Sequence, residues 1–87
     1  MTGEMQQDAV NCVQYVFEQF GDPARKFDIT GKEEDVAKKI KEEFDIKHNP
    51  TWHCIVGRSF GSFVTYEMKN CINLYKGPFS IFLWKAG

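Results

Sequence analysis

The chain has 87 residues, 11 basic and 12 acidic, and a formal net charge of −1. That balance gives no electrostatic case for nucleic acid or an anionic membrane surface as a partner, and no apolar run approaches the ~20 residues that span a bilayer. The length fits one domain over residues 1–87 with a marginal core, since so small a domain buries only roughly 60–65% of its unfolded-chain surface. Eight Phe within a 15% aromatic content point to a dense small core or to a partner covering part of it.

Met5, Ala9, Cys12, Val13, Val16, Phe17 and Phe20 recur at three- and four-residue steps and predict a helix over about 3–20. Thr2 is placed as its N-cap, with Glu4 near the positive end of the dipole. Gly21 stands where a helix-ending glycine would, and Pro23 blocks continuation. A loop over 21–31 follows, with Phe27 and Ile29 expected to tuck back onto the body. Thr30 and Glu33 fit a capping box, which predicts a second helix over about 31–46. Val36, Ala37, Ile40 and Phe44 form its inner stripe, and Glu34–Lys38 and Glu43–Lys47 are i,i+4 pairs on a solvated face.

Asn49-Pro50 ends helical structure. Strands are then expected at about 51–56, 60–67, 71–76 and 79–85, with turns at Gly57-Arg58-Ser59 and Gly77-Pro78. Two helices followed by strands read as α+β, with helices packed on an antiparallel β-sheet.

Enzyme chemistry finds little support. His53 and Cys54 are strand neighbours, so their side chains leave on opposite faces and cannot act as nucleophile and base. His48 and His53 are separated by Pro50 and lack metal-helix spacing. The glycines near residue 57 are not followed by a helix, so a phosphate loop fails on context. No catalytic residue, metal or cofactor is expected. Cys12, Cys54 and Cys71 are odd in number and widely spaced, which suits reduced thiols. The segment Met1-Thr2-Gly3-Glu4-Met5 lacks the basic and apolar regions of a signal peptide, which makes the cytosol the expected compartment.

Capture of a peptide is better supported. In Phe60-Gly61-Ser62-Phe63-Val64-Thr65 small residues alternate with bulky ones, and Gly61 and Ser62 would let another backbone approach closely. Such a strand invites strand addition, although an internal hairpin strand with a bulge at Gly61 fits the same pattern.

Glu4-Met5-Gln6-Gln7-Asp8, the run from Ala37 to Asp45 and, above all, the run from Asn49 to Thr65 resemble the eight-kilodalton dynein light chain family. The resemblance covers nearly the whole chain. It implies a strand-swapped homodimer, with about Ser59 to Glu67 crossing to the partner's sheet. Target segments, typically with a Thr-Gln-Thr-like core and with the dynein intermediate chain as founding example, would add beside that strand in two grooves at the dimer interface. The implied setting is cytoplasmic, on the microtubule-associated dynein motor.

Carried over by position, Ser59, Phe60, Gly61, Ser62, Phe63, Val64 and Thr65 would supply strand pairing and groove floor, and Tyr75 would line the groove. Glu33 and Glu34 would receive the target glutamine. His53, with Ser59, Phe60, Ser62 and Val64, would lie at the dimer interface. Departures from the family pattern are Tyr66 in place of a groove histidine, Cys71 and Asn73 in place of groove aromatics, and Ala86 in place of a C-terminal serine. The loop over 21–31 is also about ten residues longer than the family's tight helix–helix connection. These departures carry an alternative: an assembly protein of the same fold, independent of dynein, whose peptide groove is altered or lost.

Overall fold

The computed structural model describes residues 3–58 and 71–85. Helix α1 spans Gly3–Phe20 and helix α2 spans Glu33–His48. Strands β1 (Trp52–Arg58), β2 (Cys71–Lys76) and β3 (Phe79–Lys85) form an antiparallel sheet in the order β1-β3-β2. Two helices on a three-stranded antiparallel sheet give an α+β architecture. The expected N-cap Thr2, the strand over 60–67, Tyr66 and Ala86 lie outside the described residues.

Both helices form where apolar side chains recur at helical spacing, and each turns that stripe to the sheet. Ala9, Val13, Val16 and Phe17 of α1 are buried, as are Val36, Ile40 and Phe44 of α2. They meet Trp52 and Val56 of β1 and Phe79, Ile81 and Leu83 of β3 in one core. α2 lies over β1, and α1 packs against α2 and touches β2. Both helices therefore cover the same face of the sheet. None of the helices among the described residues is long and apolar enough to cross a membrane.

The second helix starts two residues later than the sequence predicted, and the capping box does not form. Thr30 is committed elsewhere: its hydroxyl and its N–H both donate to Asp28 Oδ1, at 2.6 and 3.0 Å, and its oxygen accepts from Arg58 Nη2 at 2.6 Å. Lys32 becomes the N-cap residue without a side-chain cap, and its ammonium donates instead to the Phe20 carbonyl at 2.8 Å, closing the end of α1. Glu33, Glu34 and Asp35 then fill the first turn of α2, where negative charge complements the helix dipole.

α2 also runs two residues past its expected end, because Lys47 and His48 have partners on α1. His48 Nε2 lies 3.0 Å from Asp8 Oδ2 and Lys47 Nζ 3.8 Å from Asp8 Oδ1. On the helix surface the pairs are Lys39–Glu43 and Lys41–Asp45 in place of the expected Glu34–Lys38 and Glu43–Lys47. Asp45 Oδ1 accepts the Trp52 N–H at 2.8 Å and so fixes where β1 begins. Hydrogen bonds from Lys41 and then from that N–H hold the Asp45 carboxyl below its usual range.

β1 continues through Gly57 and Arg58, where the sequence suggested a turn, because both residues pair with β3: Gly57 faces Ser80 and Arg58 faces Phe79. The loop between the helices is built rather than loose. Asp22 accepts the Ala24 N–H at the head of a short 3₁₀ turn, Pro23–Arg25, and its N–H donates to the Asp28 carbonyl at 3.2 Å. Ile29 is fully buried, whereas Phe27 stays about one-third exposed. Gly31, at φ +85°, makes the left-handed turn into α2.

Gly21 is where this loop touches the helix it leaves. A Cβ there would sit 2.5 Å from the Phe17 carbonyl oxygen and 2.5 Å from the Phe27 carbonyl carbon and oxygen, all backbone atoms. Backbone cannot swing aside as a side chain can. Gly21→Ala should therefore destabilise the fold by about 1–3 kcal/mol, the usual cost of overpacking. Urea denaturation checks this, and an unchanged midpoint would show that the loop is not clamped at Gly21.

Candidate functional site

The helices leave one face of the sheet uncovered, and strand alternation decides which residues stand on it. His53, Ile55 and Gly57 of β1, Trp84, Phe82 and Ser80 of β3, and Cys71, Asn73 and Tyr75 of β2 share that face. Register sets them in three rows across the strands. His53, Trp84 and Cys71 form one, Ile55, Phe82 and Asn73 the next, and Gly57, Ser80 and Tyr75 the third.

The face is aromatic and tightly layered. His53 stacks on Trp84 with ring centroids 5.3 Å apart, and Phe82 stacks on Trp84 at 4.8 Å. Ile55 and Tyr75, at the two edges, are 49% and 65% exposed, whereas Phe82 and Ser80 on the middle strand are buried, so the exposed apolar surface lies at the edges of the face. Asn73 Nδ2 donates to the Tyr75 hydroxyl at a long 3.4 Å, while Asn73 Oδ1 is buried and has no hydrogen-bond partner. A buried acceptor without a donor among the described residues is costly.

The structure brings only some of the sequence-derived candidates together. Cys71, Asn73 and Tyr75 line one edge strand, and His53 stands on the other. Glu33 is half-buried and Glu34 exposed at the start of α2. That helix end is tied to the end of β1 by Arg58, through its 2.6 Å bond to Thr30 and its 4.0 Å approach to Asp28. Glu33 and Glu34 therefore belong to the β1 side, two strand spacings (roughly 10 Å) from the β2 edge. Ser59 to Tyr66 lie outside the described residues.

A family model described as dynein light chain type 1 matches residues 1–86. The chain belongs to the dynein light chain family. Two solved structures share its fold, both of the dynein light chain-like domain of the Fasciola hepatica calcium binding protein FhCaBP2. The native crystal gives a TM-score of 0.75 at 18% identity, covering 100% of this chain and 84% of that one. A mercury derivative gives 0.73 at the same identity and coverage. At 18% identity the likeness concerns the fold.

Among the described residues of this dynein light chain, no group of three or more His, Cys, Asp or Glu is placed to hold a metal ion. Cys54 points to the helices and His53 away from them, as the pleat requires. Burial, followed by the proximity of Cys12, pushes the Cys54 thiol up to about 12, and burial, followed by Glu43, pushes Cys12 to about 11. Neither thiol is poised as a nucleophile.

The sequence reading missed Ile55, Phe82 and Trp84 on the open face. The signal was present in Phe79–Lys85, where Phe82 and Trp84 alternate with Ile81 and Leu83, so both faces of the strand are apolar. That is the mark of a strand covered on both sides.

With burial pushing their pKa values to about 11 and about 12, Cys12 and Cys54 should react with a disulfide reagent at about pH 8 at least about tenfold more slowly in the folded chain than in urea, because the thiolate fraction falls tenfold per unit while the higher nucleophilicity of the thiolate recovers roughly half of that. Mass spectrometry of the labelled peptides reads this directly. Equal rates in both states would show that the two thiols are not shielded.

Proposed function

We propose that this dynein light chain is a non-catalytic, dimeric hub that captures short linear peptides by strand addition and so pairs the proteins that carry them. One observation carries the reading: among the described residues an aromatic face has no helix over it, and the candidate residues on it are divided between the two outer strands of the three-stranded sheet. A second copy laid against that face would remove Ile55 and the part-exposed Trp84 from water and place His53 in the interface. The segment from Ser59 to Glu67 would cross to the partner's sheet, with Ser59, Phe60, Ser62 and Val64 in the contact.

The target then adds beside that strand. Main-chain hydrogen bonds supply affinity, and pockets at alternate side chains supply specificity. Cys71, Asn73, Tyr75 and Tyr66 would line the groove. Phe60, Gly61, Ser62, Phe63, Val64 and Thr65 would form its floor. The target glutamine would meet the first turn of α2 at Glu33 and Glu34, where N–H groups lack intrahelical partners. Two grooves on one dimer make the second binding event nearly intramolecular when the targets are joined. The dynein intermediate chain and other motif-bearing disordered chains are the proposed partners, in the cytoplasm on the microtubule motor.

Titration calorimetry with a Thr-Gln-Thr peptide from a dynein intermediate chain tests the groove, with one peptide per chain at micromolar-range affinity expected. No heat from a folded dimer would favour the alternative, an assembly protein whose groove is altered by Tyr66, Cys71 and Asn73. In the interface the His53 ring would stay stacked on Trp84, so His53→Gln should weaken the dimer several-fold. Sedimentation equilibrium measures this, and a variant dimer constant equal to that of the wild type would remove His53 from the interface.

A further inference from the structure

The long loop between the helices does not only pack on the body. With the β2–β3 turn and the end of α1 it lines an open cavity of about 330 Å³. The cavity lies on the helix side of the sheet, since its floor is Phe17 of α1 edge-to-face with Phe79 of β3 at 5.9 Å. It is therefore separate from the aromatic face on the other side. Phe27 and Pro78 complete an apolar lining, and the volume suits one large side chain.

The charge around the cavity is one-sided. Arg25, Lys26 and Lys76 line it, and Lys76 Nζ stands 5.9 Å from the centre of the Phe17 ring. Asp28 is the one carboxylate in the lining, and it is already occupied. It accepts both the N–H and the hydroxyl of Thr30 and lies 4.0 Å from Arg58. An anion at the mouth would thus meet three cations and a carboxylate with partners of its own.

The loop is held in this shape at a conformational cost. Lys26 and Phe27 are successive non-glycine residues at φ 55° and 59°, a region that bulky side chains seldom occupy. The Phe27 N–H donates to the Asp22 carbonyl at 2.8 Å and that of Asp28 to the Arg25 carbonyl at 3.1 Å, which hold both residues there. Such strain persists where the surroundings over-determine it, and it concentrates at binding sites. The result puts the Lys26 charge and the Phe27 ring at the same mouth.

We propose that this cavity is a second binding site, which takes a large apolar side chain of an acidic peptide segment while the flanking carboxylates pair with Arg25, Lys26 and Lys76. Charge complementarity selects the acidic flank, and the phenylalanine lining selects the anchor. The occupant is a segment of a longer chain because one apolar side chain in an open cavity gives too little to offset the lost freedom of a small molecule.

The probe is the capped peptide Asp-Glu-Asp-Phe-Asp-Glu-Asp, titrated into the full-length ¹⁵N-labelled protein. Amide shifts are expected at Arg25 to Asp28 and at Lys76 to Phe79, with affinity falling as salt rises. The double variant Lys26→Asn, Lys76→Gln keeps a residue tolerant of the left-handed region at 26. It should bind the probe about fivefold more weakly, as expected for two exposed ion pairs, while its affinity for the Thr-Gln-Thr peptide stays unchanged. A probe with Ala for Phe should not bind. The proposal is overturned by shifts confined to the Trp84 face, by equal affinity of the variant or of the Ala probe, by parallel loss of both peptides, or by 3-phenylpropionate binding as tightly as the probe.

Discussion

The rest of the structure depends on the middle strand of the sheet, which is apolar on both faces while helices cover only one. On the inner side Phe79, Ile81 and Leu83 meet both helices and are almost fully buried. On the outer side Trp84 stacks on both Phe82 and His53, with neither of the described helices above them. Burying an aromatic ring is worth about 1.5–3 kcal/mol, a large share of the stability of a domain this small. The inner face makes the fold; on the outer face Phe82 is already buried, and the apolar surface left to an assembly is that of Ile55, Tyr75 and part of Trp84.

Everything else is arranged around keeping the inner face closed. Asp45 and the Asp8–His48 contact fix the end of α2 against β1 and α1. At the opposite end Arg58 reaches from the last residue of β1 to the loop that precedes α2. Between these two anchors α2 has little freedom to slide along the sheet. The loop adds the Lys32 contact to the end of α1 and the backbone clamp at Gly21. A connection of this length would ordinarily be a loose excursion. Here it contributes Ile29 to the core and Phe27 to a cavity wall, and becomes part of the body.

Much of the fold was legible in the sequence, for a physical reason. The stripes of α1 and α2 are strict, and three- and four-residue spacing of Val, Phe and Ile is hard to read otherwise. The strands at 71–76 and 79–85 could be delimited because Gly77-Pro78 punctuates them. The errors came where a side chain had a tertiary partner that local pattern cannot show. Thr30 looked like a cap because nothing in its neighbourhood reveals Arg58, 28 residues away. Gly57 and Arg58 looked like a turn because β3 pairs with them from more than 20 residues further on. For the site, Cys71, Asn73, Tyr75 and His53 fall on one face, which alternation and the family resemblance both allow. The aromatic rows that surround them become visible only with the register. The cationic cavity was not legible at all, since Phe17, Phe27 and Phe79 meet only after both helices and the sheet are in place.

On the proposed reading, a divided site makes dimerisation and peptide capture one equilibrium. If a groove is complete only when two chains meet, a peptide binds the dimer and not the separate chain. By linkage it must then tighten the dimer by the factor by which the dimer tightens it. Apparent peptide affinity then depends on protein concentration wherever that concentration approaches the dimer constant. The marginal core sharpens this coupling, because a small domain that exposes Ile55 and Tyr75 gains proportionally more from covering them. The cavity on the helix side stands outside that linkage. Its walls come from a single chain, so it can hold an acidic segment whether or not the aromatic face is covered. A target carrying both elements would use the cavity as a tether that raises its effective concentration at the groove.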